Sequence, residues 1–122
     1  MEKLGKLKTV FRSGGIVTAG SSSPFSDGAA ALVVASEAAV KKYDLEVLGR
    51  IVTTASAGIA PNVMGLGPVP ATHKALARAG WSVDDLGAVE LNEAFAAQSL
   101  GVIRQLKFDE SIVNADGGAI AL

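Results

Sequence analysis

Residues 29–35 read AAALVVA, an unbroken apolar run opened by Asp27-Gly28. A strand with one wet face alternates apolar and polar residues. A continuous run of small and β-branched residues instead predicts a strand buried on both faces, in a sheet covered by helices. Glycine at 14 of 122 positions and a hydrophobic share of 49% fit such packing and argue against disorder. The run is far shorter than the roughly 20 residues needed to cross a bilayer, and Met1 is followed by charge, not by a signal-peptide core. No membrane span is expected, and the chain reads as soluble and cytoplasmic, or of an organellar matrix if the source is eukaryotic.

The flanking sequence supplies the helices. Ser36 is placed to cap a helix over residues 37–43, and residues 47–54 return to strand character, giving a β-α-β order. Gly58, Pro61, Gly65, Gly67, Pro68 and Pro70 predict a loop over 58–70 without a regular element. Thr72, Ala75, Leu76 and Ala79 recur at helical spacing and stop at Gly80, which predicts a helix over 71–79. Ser82-Val83-Asp84-Asp85 resembles a capping box for one helical turn, and residues 87–91 read as a short strand ending in Asn92. Asn92 then begins a helix with Phe95, Ser99, Val102, Ile103 and Leu106 along one side, and residues 112–114 form a last strand before Gly117-Gly118. Residues 1–26 read mostly as loop. The alternation predicts an α/β chain with a mainly parallel or mixed sheet wrapped by helices.

Charge and residue inventory exclude several functions. The 11 basic and 12 acidic residues nearly cancel, so no global field would recruit nucleic acid or an anionic membrane. Lys3, Lys6, Lys8 and Arg12 read as a solvated helix face. Without cysteine there is no disulfide, thiolate metal site or thiol nucleophile in these residues. His73, the single histidine, has no acidic or cysteine partner at metal or triad spacing; it reads as a surface residue, and no metal site is predicted. Ser21, Ser22 and Ser23 have no base nearby in sequence to activate them.

Three features remain. Asn92-Glu93-Ala94-Phe95-Ala96 lies at a strand-to-helix junction, where α/β proteins collect ligand-contacting groups. An amide there can hold a water or a carbonyl, and Glu93 can hold a loop by hydrogen bonds; the plainer reading is an N-cap followed by a first-turn acid. Gly117-Gly118 either lets backbone approach a ligand or makes a turn, and Met64 is either a loop anchor or a ligand contact.

Together these segments resemble the thiolase family. Thr18-Ala19-Gly20, Ser22-Ser23 and Asp27-Gly28-Ala29-Ala30-Ala31, then Val63-Met64-Gly65-Leu66-Gly67-Pro68, Asn92-Glu93-Ala94-Phe95-Ala96 and Val113-Asn114-Ala115-Asp116-Gly117-Gly118 through Leu122 follow one another in its order and at its intervals. The resemblance implies a layered αβαβα fold, present only in part. Residues 1–26 would finish a loop domain, 27–48 would finish the N-terminal half, and 49–122 would begin the C-terminal half. It implies acyl transfer between acyl-CoA and CoA or acetyl-CoA through a cysteine acyl-enzyme. Coenzyme A thioesters would be substrates, with no covalently bound cofactor, and the full-length protein would be a homo-oligomer. Asn92 matches the asparagine that holds an oxyanion-hole water. Phe11, Ala19, Ser23 and Met64 match positions lining the pantetheine and acyl pocket, while Glu93, Phe95, Gly117 and Gly118 would support the site.

The match also has departures. Ser21 stands where the family commonly has asparagine, and Pro24 where it has glycine. The family's nucleophilic cysteine, its Gly-His-Pro histidine and its second cysteine are absent, and His73 does not match that histidine. These residues alone are therefore expected to be inactive, as an internal fragment. The alternative is a non-catalytic truncated relative that binds CoA or a partner chain. A decarboxylating condensing enzyme of the same broad fold is a weaker alternative, since such relatives commonly carry histidine where Asn92 stands.

Overall fold

Helices form where the local signals are strongest. The computed structural model describes residues 2–122, with helices α1 (Glu2–Gly5), α2 (Glu37–Tyr43), α3 (Pro68–Ala79) and α4 (Ala96–Leu106). The Oγ of Ser36 accepts from the Ala39 N–H at 3.2 Å and starts α2 at the expected residue; Asp44, in the left-handed region at φ 50°, ends it. Gly80 closes α3 at φ 70°, and its N–H donates back to the Leu76 and Ala77 carbonyls. Lys107 does the same for α4 at φ 56°.

Prolines begin regular structure here instead of preventing it. Residues 61–66 form a 3₁₀ segment with Pro61 at its start, and α3 begins at Pro68, three residues before the expected Ala71. A proline in the first turn gives up an N–H that has no helical partner and brings a φ already suited to the helix. The expectation of an irregular loop over 58–70 fails for that reason. Asn92 likewise does not begin α4: the helix starts at Ala96 with Phe95 as its N-cap, so neither Asn92 nor Glu93 serves a helix end. Of the four basic residues expected on one helix face only Lys3 lies in α1, which stops at Gly5; Lys6, Lys8 and Arg12 lie beyond it.

The core sits around one side of α4. Val102, Leu106 and Phe108 are buried, and Leu66, Val69, Val83, Leu86, Val89, Leu91, Ile103 and Val113 pack against them. Burial of each such large apolar side chain contributes about 1.5–3 kcal/mol. Leu76 of α3 is also buried, as is Ser99 on the core-facing side of α4. The expected apolar stripe of α4 is therefore correct.

The expected strands are not strands within the described residues. Pairing there is confined to isolated bridges: Thr9 with Thr18 and Ser22 with Phe95 antiparallel, and Val89 with Val113 parallel. Residues 29–35 and 47–54 carry no ladder, and Leu32, Val33 and Leu48 are 89%, 92% and 93% exposed. The segments expected at 87–91 and 112–114 reduce to the single Val89–Val113 bridge, because residues 110–112 form a 3₁₀ turn and Asn114 takes a left-handed φ of 48°. A strand needs a hydrogen-bonded neighbour, and these residues supply none for 29–35 or 47–54. The surface reflects this: 9737 Å² is exposed, against about 6,100 Å² for a typical folded monomer of this mass.

Candidate functional site

The segment before α4 is shaped by a side chain that imitates backbone. Val89 N–H donates to the Ile112 carbonyl at 2.9 Å, and Asn114 N–H donates to the Val89 carbonyl at 2.8 Å, forming the parallel bridge. Beyond it, the Asn114 carboxamide replaces a strand neighbour: its Oδ1 accepts from Leu91 N–H at 2.7 Å and its Nδ2 donates to the Leu91 carbonyl at 2.9 Å. Both orphan groups of Leu91 are thereby satisfied at the end of the paired region. Sequence reasoning passed over Asn114. Its signal was an asparagine directly after an apolar pair, at a position where only asparagine, aspartate or glycine readily takes a left-handed φ.

Glu93 continues the same network. Its Oε1 accepts from Asn114 Nδ2 at 3.2 Å and its Oε2 accepts from the Ile120 backbone N–H at 3.1 Å. The carboxylate lies directly over Gly118, where any Cβ would overlap it. Glu93, Asn114, Gly118 and Ile120 are all partly buried. Asn92, one residue earlier, is exposed, and its carboxamide makes no hydrogen bond with the described residues. Of two adjacent polar side chains, one is consumed by the loop and the other is left free.

A second set of contacts brings the N-terminal loops to the start of α4. Thr9 and Thr18 pair, with Val10 N–H donating to the Val17 carbonyl at 3.0 Å, and the chain reverses through Gly14 at φ 69°. The tip carries Phe11, whose ring meets Phe95 edge-on, centroids 5.9 Å apart and planes at 83°. Ser23 N–H donates to the Ala94 carbonyl at 3.2 Å beside the Ser22–Phe95 bridge. Ala19 lies in the intervening 3₁₀ turn, tied by Thr18 N–H to Ser21 Oγ at 3.0 Å and by Ser22 Oγ to the Thr18 carbonyl at 2.8 Å. That turn sits tightly on the N-terminal segment: a Cβ at Gly20 would come within 2.7 Å of Leu4 and 2.8 Å of Leu7.

Phe11 therefore meets Phe95 and Ser23 meets Ala94, while Glu93 meets Gly118 and Ile120. Both groups flank Asn92 and Ala94. Met64 belongs to neither set: it is exposed on the 3₁₀ segment 61–66, beside an open concavity of about 420 Å³ shared with Gln98 and Gly101 of α4. Gly117, at φ 106°, has open space around it. Phe11 also lines an open concavity of about 440 Å³ together with Lys8 and Arg12. His73 is exposed on α3. Among the described residues no group of three His, Cys, Asp or Glu side chains is placed to hold a metal, and no helix is long and apolar enough to cross a membrane.

Asp85 and Asp109 have carboxyls held below the ordinary aspartate range. For Asp85 the cause is the Ser82 backbone N–H and then the Ser82 hydroxyl; for Asp109 it is the Ser111 backbone N–H and then its side chain. Both are capping groups of 3₁₀ turns.

Comparison with known proteins adds independent observations. Residues 1–38 match the family model described as the thiolase N-terminal domain, and residues 45–122 match the thiolase C-terminal domain. The acetyl-CoA acetyltransferase of Pseudomonas aeruginosa is 55% identical over 122 residues, covering 100% of this chain and 31% of the relative. The 3-oxoadipyl-CoA/3-oxo-5,6-dehydrosuberyl-CoA thiolase of Escherichia coli is 53% identical, again over 100% of this chain and 31% of its own length. Among solved structures, human mitochondrial 3-ketoacyl-CoA thiolase in complex with CoA superposes with a TM-score of 0.96 at 52% identity, over 99% of this chain and 31% of that one. The chain thus spans about 31% of the length of the relatives it matches.

Proposed function

Because the chain belongs to the thiolase family and has that family's fold in part, we propose that it serves acyl transfer between acyl-CoA and CoA or acetyl-CoA, as thiolytic cleavage or its reverse, Claisen condensation. The chemistry needs a cysteine thiolate, and none of these 122 residues is cysteine, so the nucleophile comes from outside them. In condensation its sulfur attacks the thioester carbonyl carbon, the carbonyl oxygen takes up negative charge, and the C–S bond to CoA breaks. In cleavage it attacks the 3-keto carbon instead, the bond to the α-carbon breaks, and acetyl-CoA leaves after its α-carbon takes a proton from a second cysteine, so both directions give an acyl-enzyme. The acyl group then passes to the sulfur of CoA, or to the α-carbon of acetyl-CoA after a second cysteine removes its proton.

What supports a part for Asn92 is its free, exposed carboxamide beside a fully engaged Glu93. Such an amide holds a water that hydrogen-bonds the thioester oxygen as charge develops, without titrating itself. Phe11, Ala19, Ser23 and Met64 line the pantetheine and acyl groups. Lys8 and Arg12 add positive charge beside Phe11 that suits a phosphate-bearing ligand. Residues 1–26 end the loop domain, 27–48 end the N-terminal half and 49–122 begin the C-terminal half. A homo-oligomer in the cytoplasm completes the reading.

The test is a chimera in which this chain replaces the 122 matching residues of the Pseudomonas aeruginosa acetyltransferase. CoA-dependent cleavage of a 3-ketoacyl-CoA by the folded chimera is expected. A folded chimera that binds CoA without turnover would favour the non-catalytic alternative.

A further inference from the structure

The polar cluster behind Asn92 has a constraint in its hydrogen-bond directions. Asn114 cannot turn over: its Oδ1 is fixed by the Leu91 N–H and its Nδ2 by the Leu91 carbonyl, so an N–H must point at Glu93. The other group reaching Glu93 is the Ile120 backbone N–H. Both neighbours are donors, and each meets a different oxygen of Glu93. A carboxylate accepts from both; a carboxamide of the same shape has one acceptor and would face a donor with its own NH₂. Gly118 completes the fit, since its missing Cβ leaves the space the carboxylate fills.

We propose that Glu93 is a positioning residue for Asn92: by clamping Asn114 and the Ile120 amide with its two oxygens over Gly118, it fixes the backbone at 91–93 and so the direction of the Asn92 carboxamide. The proposal rests on the acyl-transfer reading for its catalytic consequence. The clamp itself rests on the geometry alone. Glu93 touches no reacting atom and acts only through its neighbour.

Two measurements on the chimera test it. In the first, Glu93→Gln and Glu93→Ala are made alone and with Asn92→Ala. Each alone is expected to lower kcat by about tenfold or more with KM within about twofold, because the affected interaction acts in the transition state. Added to Asn92→Ala, each should cost less than about threefold further, since the group it positions is gone. Equal fold losses in both backgrounds would show a general structural role and overturn the proposal, as would an unchanged kcat in the single variants. In the second, amide exchange at Ile120 is followed in the folded protein and should be about tenfold or more faster in Glu93→Gln; unchanged protection overturns the clamp. Exchange does not depend on turnover, so an unmodified chimera that folds but is inactive would remove the acyl-transfer reading while exchange still decides the clamp.

Discussion

The Asn114 carboxamide meets the Leu91 backbone as a second peptide group would, with Oδ1 2.7 Å from its N and Nδ2 2.9 Å from its carbonyl oxygen. Changing the Nδ2 to oxygen in Asn114→Asp sets that oxygen against the Leu91 carbonyl and the Glu93 carboxylate. Leaving such groups unsatisfied costs about 1–3 kcal/mol. The chimera carrying Asn114→Asp should unfold at lower denaturant concentration by a corresponding amount. Its deficit should narrow as pH falls, because a protonated aspartic acid can donate where the carboxamide did. A deficit that does not change between neutral and acidic pH would mean that the repulsion is not its cause.

Asn92→Ala in the chimera should lower kcat by ~10²- to 10³-fold, the usual effect of losing one oxyanion donor, with a smaller change in KM. His73→Ala should leave steady-state kinetics within twofold, as expected of an exposed residue on α3. Kinetics that reversed these two effects would remove Asn92 from the chemistry and bring His73 into it.

Asp85 Oδ2 accepts from the Ser82 N–H at 2.7 Å and the Ser82 hydroxyl at 2.8 Å, and its carboxyl lies below the ordinary range. A depressed folded-state pKa contributes stability that is present above the unfolded-state value and lost as pH falls through the folded one. Asp85→Asn should therefore destabilise the protein slightly at neutral pH. The difference from the parent should disappear below the ordinary aspartate range, as read by denaturant titrations across acidic pH. The residue is fully exposed, so the effect is small.

The 122 residues alone should show no thiolysis or condensation above background, because they hold no thiolate to accept the acyl group. They should also associate. Residues 29–35 and 47–54 present apolar, unpaired backbone to solvent, the usual template for edge pairing. Sedimentation is expected to show oligomers or aggregate, and a monomer with one cooperative thermal transition would contradict this.

Local signals were legible in the sequence and non-local ones were not. Ser36 and Gly80 act within one turn of the backbone they cap, and α2 and the end of α3 lie where those residues place them. Pro68 was misread because a proline forbids a helix interior but suits a helix start, and only the surrounding chain decides which applies. The run at 29–35 gives its composition away, but a strand needs a neighbour and the described residues offer it none. The pairing of Asn92 and Glu93 was visible as a junction. Which of the two would be consumed depended on Asn114 and Ile120, more than twenty residues away in sequence, whose hydrogen bonds no short-range pattern encodes.

Gly117 and Gly118 are neighbours held to glycine by unrelated rules, and a genetic selection would separate them. Gly117 needs its φ of 106° and has open space around it, whereas Gly118 has an ordinary extended φ of −125° and no room for a Cβ beneath Glu93. Every missense change at either codon adds a side chain, so both positions would look equally intolerant in a screen of single variants. Their suppressors would differ. A shortened residue at 93 vacates the space that Gly118→Ala needs, so Glu93→Ala would mask it and the double variant would be no worse than Glu93→Ala alone. No change at 93 can relieve a backbone angle, and Gly117→Ala would remain beyond second-site rescue from that position.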